Sequence, residues 1–387
     1  MTRTAKIVIF LGAGILALLL VWAGLNYFSP PSKDGTSGIK LPQIFPGGGL
    51  LTPPKSLTGG GEPTQTSAKI SQIVKEPVIG ATLDRNRSQL LYFKRAGGNL
   101  FRSDLDGTNE ERLSNLTILG IYEVKWSPDL ELAIVRYLDE NGATKTFIFN
   151  AASSTTSFLP AGITSIDWSP DGKLLAYTQT FADGVRVITS DVFGKNVKTA
   201  LESPIADLRV AWQSRSNLIL APPASYAVKN VSFLVPIGKP AKDLISGTGL
   251  SILAGGSATS VKDVLTITST SGEGVMGFLR FASVSRLATS TTVATLAEKC
   301  AWGITMMLYC AEPSGDLSPW RLPDDWYQGK MLFSDNIVRI NALDMTASTI
   351  TLNGSFDATH IFITPDERFV FFINKADGNL WRAEINK

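Results

Sequence analysis

The phrase Trp126-Ser127-Pro128-Asp129 returns as Trp168-Ser169-Pro170-Asp171-Gly172 about 42 residues later. Worn copies stand at Trp212-Gln213-Ser214-Arg215-Ser216 and Ile363-Thr364-Pro365-Asp366-Glu367. Each phrase joins two apolar runs and has the chemistry of a tight turn. Proline presets φ, aspartate caps its own turn, and glycine takes positive φ. A repeat of this length, written in strand-like text, predicts four-stranded blades arranged around an axis. The tryptophan before each turn is expected to pack between neighbouring blades.

Taking Trp126, Trp168 and Trp212 as the ends of first strands, matching ends fall near Leu83, Leu253, Trp302 and Ile363. The chain therefore reads as an all-β, seven-bladed β-propeller. The fifth blade has the weakest text, so six blades is the alternative. Second strands follow as apolar runs, among them Leu90–Phe93, Leu132–Val135, Leu174–Tyr177, Val264–Ile267 and Phe369–Phe372. The third strands Asn99-Leu100-Phe101-Arg102 and Asn379-Leu380-Trp381-Arg382 are near-copies. The last blade stops after that third strand. Its missing fourth strand is expected from Lys69–Val74, which would pair the two ends of the ring and remove exposed sheet edges. On this reading the propeller covers residues 68–387.

Ile7 to Phe28 is an uncharged run of about 22 residues, long enough to span a bilayer as a helix. Arg3 and Lys6 precede it, and no Lys or Arg follows until Lys33. This asymmetry predicts a cytoplasmic N-terminus and an extracytoplasmic bulk. Trp22-Ala23-Gly24 is a poor cleavage site, which favours an anchor over a removed signal peptide. Residues 1–28 are thus read as a stub and single-pass anchor, and residues 29–67 as a linker. The linker carries Pro30-Pro31, Gly47-Gly48-Gly49, Pro53-Pro54 and Gly59-Gly60-Gly61, and text of this kind buries too little apolar surface to fold. As a flexible coil it would reach roughly 35 Å.

With 36 basic and 34 acidic residues the chain is near neutral, so no nucleic-acid partner is expected. A single histidine, His360, lowers the prospect of a transition-metal site or an acid–base triad. No metal and no cofactor are expected.

The Trp-Ser-Pro-Asp-Gly repeats resemble the propeller of TolB-type periplasmic proteins, WD-repeat-like propellers, and the propeller half of dipeptidyl-peptidase-type hydrolases. A closer resemblance runs through Glu298-Lys299-Cys300-Ala301-Trp302, Tyr309-Cys310-Ala311-Glu312-Pro313, Asp324-Asp325-Trp326-Tyr327-Gln328-Gly329 and Phe333-Ser334-Asp335. Those phrases are similar to ones in a bacterial family of membrane-anchored propellers with no assigned activity. The resemblance implies a fold and an address at the cell envelope, but no mechanism. The peptidases carry a Gly-x-Ser-x-Gly elbow in a catalytic domain after the propeller, and this sequence shows no such elbow.

Cys300 and Cys310 are the only cysteines, at hairpin spacing on adjacent strands of the sixth blade. Outside the membrane this favours a disulfide, two buried free thiols being the alternative. The same blade carries an insert, Glu312 to Asp335, with Trp320, Asp324, Asp325, Trp326 and Tyr327 among Pro and Gly. Aromatics beside carboxylates suit a glycan or a protein partner, so these five are the candidate ligand-binding residues. The competing reading has Trp320 and Trp326 folding under the loop to pin it. His360 falls on the last inner strand, where it faces the channel or serves structure. The functional expectation is a non-enzymatic binding or scaffold module for an envelope protein or cell-wall glycan. A carboxylate-based glycan hydrolase or lyase is the alternative.

Overall fold

The structure, a computed structural model, describes residues 66–253, 266–282, 289–303 and 306–385. The expected anchor, 1–28, and the expected linker up to residue 65 lie outside the described residues. Among the described residues no helix is long and apolar enough to cross a membrane.

Seven antiparallel sheets follow one another along the chain. Their inner strands are Val78–Leu83, Ile121–Trp126, Ile163–Trp168, Arg209–Ser214, Ser251–Leu253, Cys300–Trp302 and Ala358–Ile363. The seven expected strand ends all fall within or at the close of these strands. The described chain is a seven-bladed propeller, and the six-blade alternative is set aside. In the fifth blade the second strand runs Thr266–Ser269, slightly beyond the expected run.

The repeated turn works through its serine and aspartate. Ser127 Oγ donates to Asp129 Oδ1 (2.5 Å) and accepts from the Leu132 N–H (3.0 Å). Ser169 repeats this with Asp171 (2.7 Å) and Leu174 (2.9 Å). Gly172 takes φ +69° at the turn, the left-handed region that glycine enters without a Cβ penalty. The preceding tryptophans reach back one blade. Trp126 Nε1 donates to the Gly80 carbonyl (2.7 Å) and Trp168 Nε1 to that of Lys125 (2.9 Å). Each indole thus packs between blades and also ties one inner strand to the next.

The ring closes as the sequence suggests. Lys69–Val74 pairs antiparallel with Leu380–Glu384, in register from Lys69 opposite Glu384 to Val74 opposite Leu380. Behind that seam Val74, Leu90, Tyr92, Phe371 and Leu380 form one buried cluster between the first and last blades. Truncating Phe371 there to alanine should cost about 3–5 kcal/mol. Thr66–Ser67, expected at the linker's end, already pairs in parallel with Ile350–Thr351 on the outer strand of blade six.

Candidate functional site: the central cavity and the blade-six insert

The loops entering inner strands and the loops joining second to third strands open on the same face, because the strands of a blade alternate in direction. The insert of blade six is a loop of this second kind, between Met307–Ser314 and Ser334–Asn341. It builds its own small core from Leu296, Leu322, Trp326, Met331 and Phe333, with Trp320 half-buried against it. One short helical turn, Asp324–Tyr327, organises it.

Both aspartates of that turn are engaged within the protein. Asp325 accepts from the Arg321 N–H (2.8 Å) and from Lys330 Nζ (3.0 Å), which hold its carboxyl below the usual range. Asp324 accepts from Ser225 Oγ (3.0 Å) and the Tyr226 N–H (2.6 Å), tying the insert to a loop of blade four. Trp326 is buried, stacks on Phe333 at 5.5 Å, and donates its indole N–H to Asp357 (2.7 Å).

Beneath Trp326 lies a sealed ionic cluster. Lys299, 1% exposed, lies 2.8 Å from Asp335 and 2.6 Å from Asp357. Lys375 Nζ also lies over the Trp326 ring, at 3.9 Å from its centroid. Lys299, Asp335 and Asp357 come from the heads of blades six and seven and from the end of the insert. The cluster fixes the insert against both blades, and leaving any member unpaired would be costly.

Of the five candidate residues, only Tyr327 lines the central cavity. Trp320 and Trp326 sit in or against the insert's core, and Asp324 and Asp325 are spent on internal hydrogen bonds. The cavity holds about 770 Å³. It is lined by Tyr122, Glu123 and Lys125 of blade two, Thr164 and Ser165 of blade three, Arg209 of blade four, Ser251 of blade five, Glu298, and Tyr327. Tyr122 and Tyr327 are 39% and 38% exposed.

The charges at the cavity come in complementary groups. Glu123 accepts from Arg136 (2.6 Å) and lies 3.5 Å from Lys125. Burial works to raise the Glu123 carboxyl, but Lys125 and Arg136 outweigh it and hold it below the usual range. Asp167 accepts from the Trp212 N–H (2.8 Å) and lies 3.9 Å from Lys125, yet burial keeps its carboxyl raised. Tyr327 donates its hydroxyl to Glu298 (2.5 Å). Glu298 is exposed at the cavity wall, with protein packed closely around its carboxyl. That enclosure raises its carboxyl, against the Tyr327 hydrogen bond and the charge of Arg209. Burial and the neighbouring Glu298 raise the Tyr327 hydroxyl in turn. Sequence reading missed Glu298, Arg209 and Glu123 as cavity groups, because nothing local marks a charged residue on or just before an inner strand as facing the axis.

His360 sits on the last inner strand at φ +50°, at an irregularity in the pairing between Thr359 and Phe362. The first blade has Gly80, φ +62°, at the matching place, where an added Cβ would meet Val124 at 2.5 Å. His360 is exposed on the inner strand, yet desolvation by the protein around its ring lowers the imidazole, with Arg95 adding to this and Glu123 opposing it. The ring is therefore neutral near pH 7. It is not among the cavity's lining residues. Cys300 and Cys310 lie directly opposite across the hairpin and form a disulfide.

No protein-family model matches the chain, and no curated protein matches it. Solved structures do. An oligogalacturonate lyase in complex with manganese is similar with TM-score 0.58 and 13% identity, over 84% of this chain and 95% of that one. The β-propeller domain of Cps50 (Swd1) from Myceliophteria thermophila gives 0.54 and 8%, over 82% and 100%. TolB from Acinetobacter baumannii gives 0.45 and 12%, over 82% and 66%. At such identities these likenesses show the fold alone. That fold is a β-propeller. The lyase carries manganese; among the described residues of this chain no three His, Cys, Asp or Glu side chains are grouped to hold a metal ion.

Proposed function

We propose that the chain is a membrane-anchored, extracytoplasmic propeller that binds a cell-wall glycan in its central cavity without transforming it. The observation that carries this reading is the pairing of two exposed rings, Tyr122 and Tyr327, with complementary charged groups in one cavity of about 770 Å³. Sugar rings stack their C–H faces on aromatic surface, and their hydroxyls both donate and accept hydrogen bonds. Glu123 is paired with Lys125 and Glu298 with Tyr327, and with Arg209 beside them these groups supply donors and acceptors at the cavity wall. The disulfide supports the extracytoplasmic address, since such bonds persist in oxidising compartments. The uncharged run Ile7 to Phe28 supports the anchor.

The test is calorimetric titration of the purified chain with a panel of cell-envelope glycan fragments. At least one class should bind, and Tyr327→Ala should weaken it about tenfold or more, ~1.4 kcal/mol. Binding that is indifferent to Tyr327→Ala would move the site away from the cavity. A second reading rests on Glu298, whose raised carboxyl stands at the cavity wall as a general acid would. On that reading the same fragments would be cleaved, and Glu298→Gln would stop the cleavage while leaving binding in place.

A further inference from the structure

The buried cluster under Trp326 has the parts of a reaction as well as those of an ion pair. Lys299 Nζ lies 2.6 Å from Asp357 Oδ1 and 2.8 Å from Asp335 Oδ2. All three side chains are 0–1% exposed. Trp326 and Phe333 shield the amine, their rings centred 5.0 and 4.6 Å from Nζ. The two carboxyl groups differ in their surroundings. Asp357 Oδ2 accepts two N–H groups, from the Trp326 indole (2.7 Å) and the Phe333 backbone (3.2 Å). Two donors converging on one carboxyl oxygen would stabilise the negative charge that forms there when the carbon becomes tetrahedral. Asp335 Oδ2 accepts from the Ala358 N–H (2.7 Å), while its Oδ1 is buried with no hydrogen-bond partner.

We propose that Lys299 and Asp357 join in a self-catalysed intramolecular amide bond, with Asp335 as the proton carrier. In the dry pocket the ammonium passes a proton to Asp357 Oδ1, its nearest contact at 2.6 Å, giving the neutral amine and the carboxylic acid that the attack needs. The free amine attacks Cγ of Asp357. The C–N bond forms, and charge gathers on Oδ2 under the Trp326 and Phe333 N–H groups. Asp335 takes a proton from the nitrogen and returns it to Asp357 Oδ1. The Cγ–Oδ1 bond breaks and Oδ1 leaves as water with two of the original ammonium protons. Asp335 ends as it began, and no oxidant, metal or co-reactant is consumed. Burial pushes the Asp335 carboxyl up to about 6, against the charge of Lys299, which suits a group that must both hold and release a proton near neutrality. Held contact between the reacting groups and exclusion of water supply the remaining advantage. The product would fasten the head of blade six to the head of blade seven, beside the Cys300–Cys310 disulfide.

The experiment is peptide mapping by tandem mass spectrometry of the full chain, folded by circular dichroism, then reduced and digested with trypsin. The expected result is a branched species joining the Lys299 and Asp357 peptides, lighter than their sum by one water, with no tryptic cut after Lys299. Recovery of both peptides unjoined, with Lys299 cut normally, from the folded protein would overturn the proposal. Two variants keep the roles testable. In Asp357→Asn the amide should still form with loss of ammonia in place of water, since the side-chain nitrogen is then the leaving group. Asp335→Asn should stay folded with the peptides unjoined. Ammonia loss appearing in Asp335→Asn would overturn the assignment of Asp357 as the acyl donor.

Discussion

The turns of blades two and three are closed by residues five positions apart or fewer, whereas the insert of blade six is held by residues up to 58 apart. In the two faithful blades, Ser127 with Asp129 and Ser169 with Asp171 close the turn, and Trp126 and Trp168 each find a carbonyl on the blade before. In blade six the corresponding Trp302 is half-buried, with its indole N–H unpaired. A disulfide and a Lys299–Asp335–Asp357 cluster hold that blade instead. The difference shows two ways to fix a blade. A local phrase makes a generic wall. Long-range polar contacts fix an insert, and here they set Tyr327 at the edge of the cavity.

The sharpest way to break the comparison is to remove Lys299 from the cluster. Lys299→Met leaves two carboxyl groups buried without their partner and should cost about 3–5 kcal/mol in urea unfolding. A similar truncation of an exposed cation such as Lys173 should move it by less than about 0.5 kcal/mol. A second probe is pH. The folded value of Asp335, about 6, lies above its ordinary 3.8, so the folded state binds a proton that the unfolded state releases. The stability this provides is present at low pH and is lost as pH rises through about 6. The stability difference between native protein and Asp335→Asn should therefore change across that window and level off above it, as read by unfolding curves at stepped pH.

A third probe sets the faithful copies against the worn one. Trp126→Phe loses the bond to Gly80 and should cost about 1–2 kcal/mol beyond the loss of ring area. Trp212 Nε1 is buried without a partner, so Trp212→Phe should cost clearly less in the same denaturation series. The smallest effect concerns the seam between the last blade and the first. His360→Gly relieves a left-handed side chain but adds unfolded-chain entropy, and should raise stability by about 0.5 kcal/mol at most.

Much of the fold is legible in the text because its determinants are local. The Trp-Ser-Pro-Asp turns mark strand ends, and the pairing of Lys69–Val74 with Leu380–Glu384 follows from the missing fourth strand of the last blade. The Cys300–Cys310 pair sits at hairpin spacing, so opposite placement across a turn is a local inference. The site is less legible. The sequence leaves Trp326 open between a recognition group and a pin folded under the loop, and offers Asp325 as a recognition group, because an insert of aromatics and carboxylates carries no periodicity that separates core from surface. Their burial depends on Phe333, Leu296 and Asp357, which only the folded ring brings together. Nothing local in the sequence marks Lys299, Asp335 and Asp357 as partners. Their partnership spans the insert and two blades, and no spacing rule encodes it.

The central claim is that the insert is a fixed wall of the cavity, held from below by the contacts among Lys299, Asp335 and Asp357. Amide hydrogen exchange over residues 320–333, compared with the turn at residues 139–143 on the same face, tests it most directly. The account predicts strong protection at Leu322, Tyr327 and Phe333, whose N–H groups bond to Gly272, Pro323 and Asp357, and rapid exchange at Asn141. An insert that exchanges as fast as that turn would contradict it, and Tyr327 would then have no fixed place at the cavity.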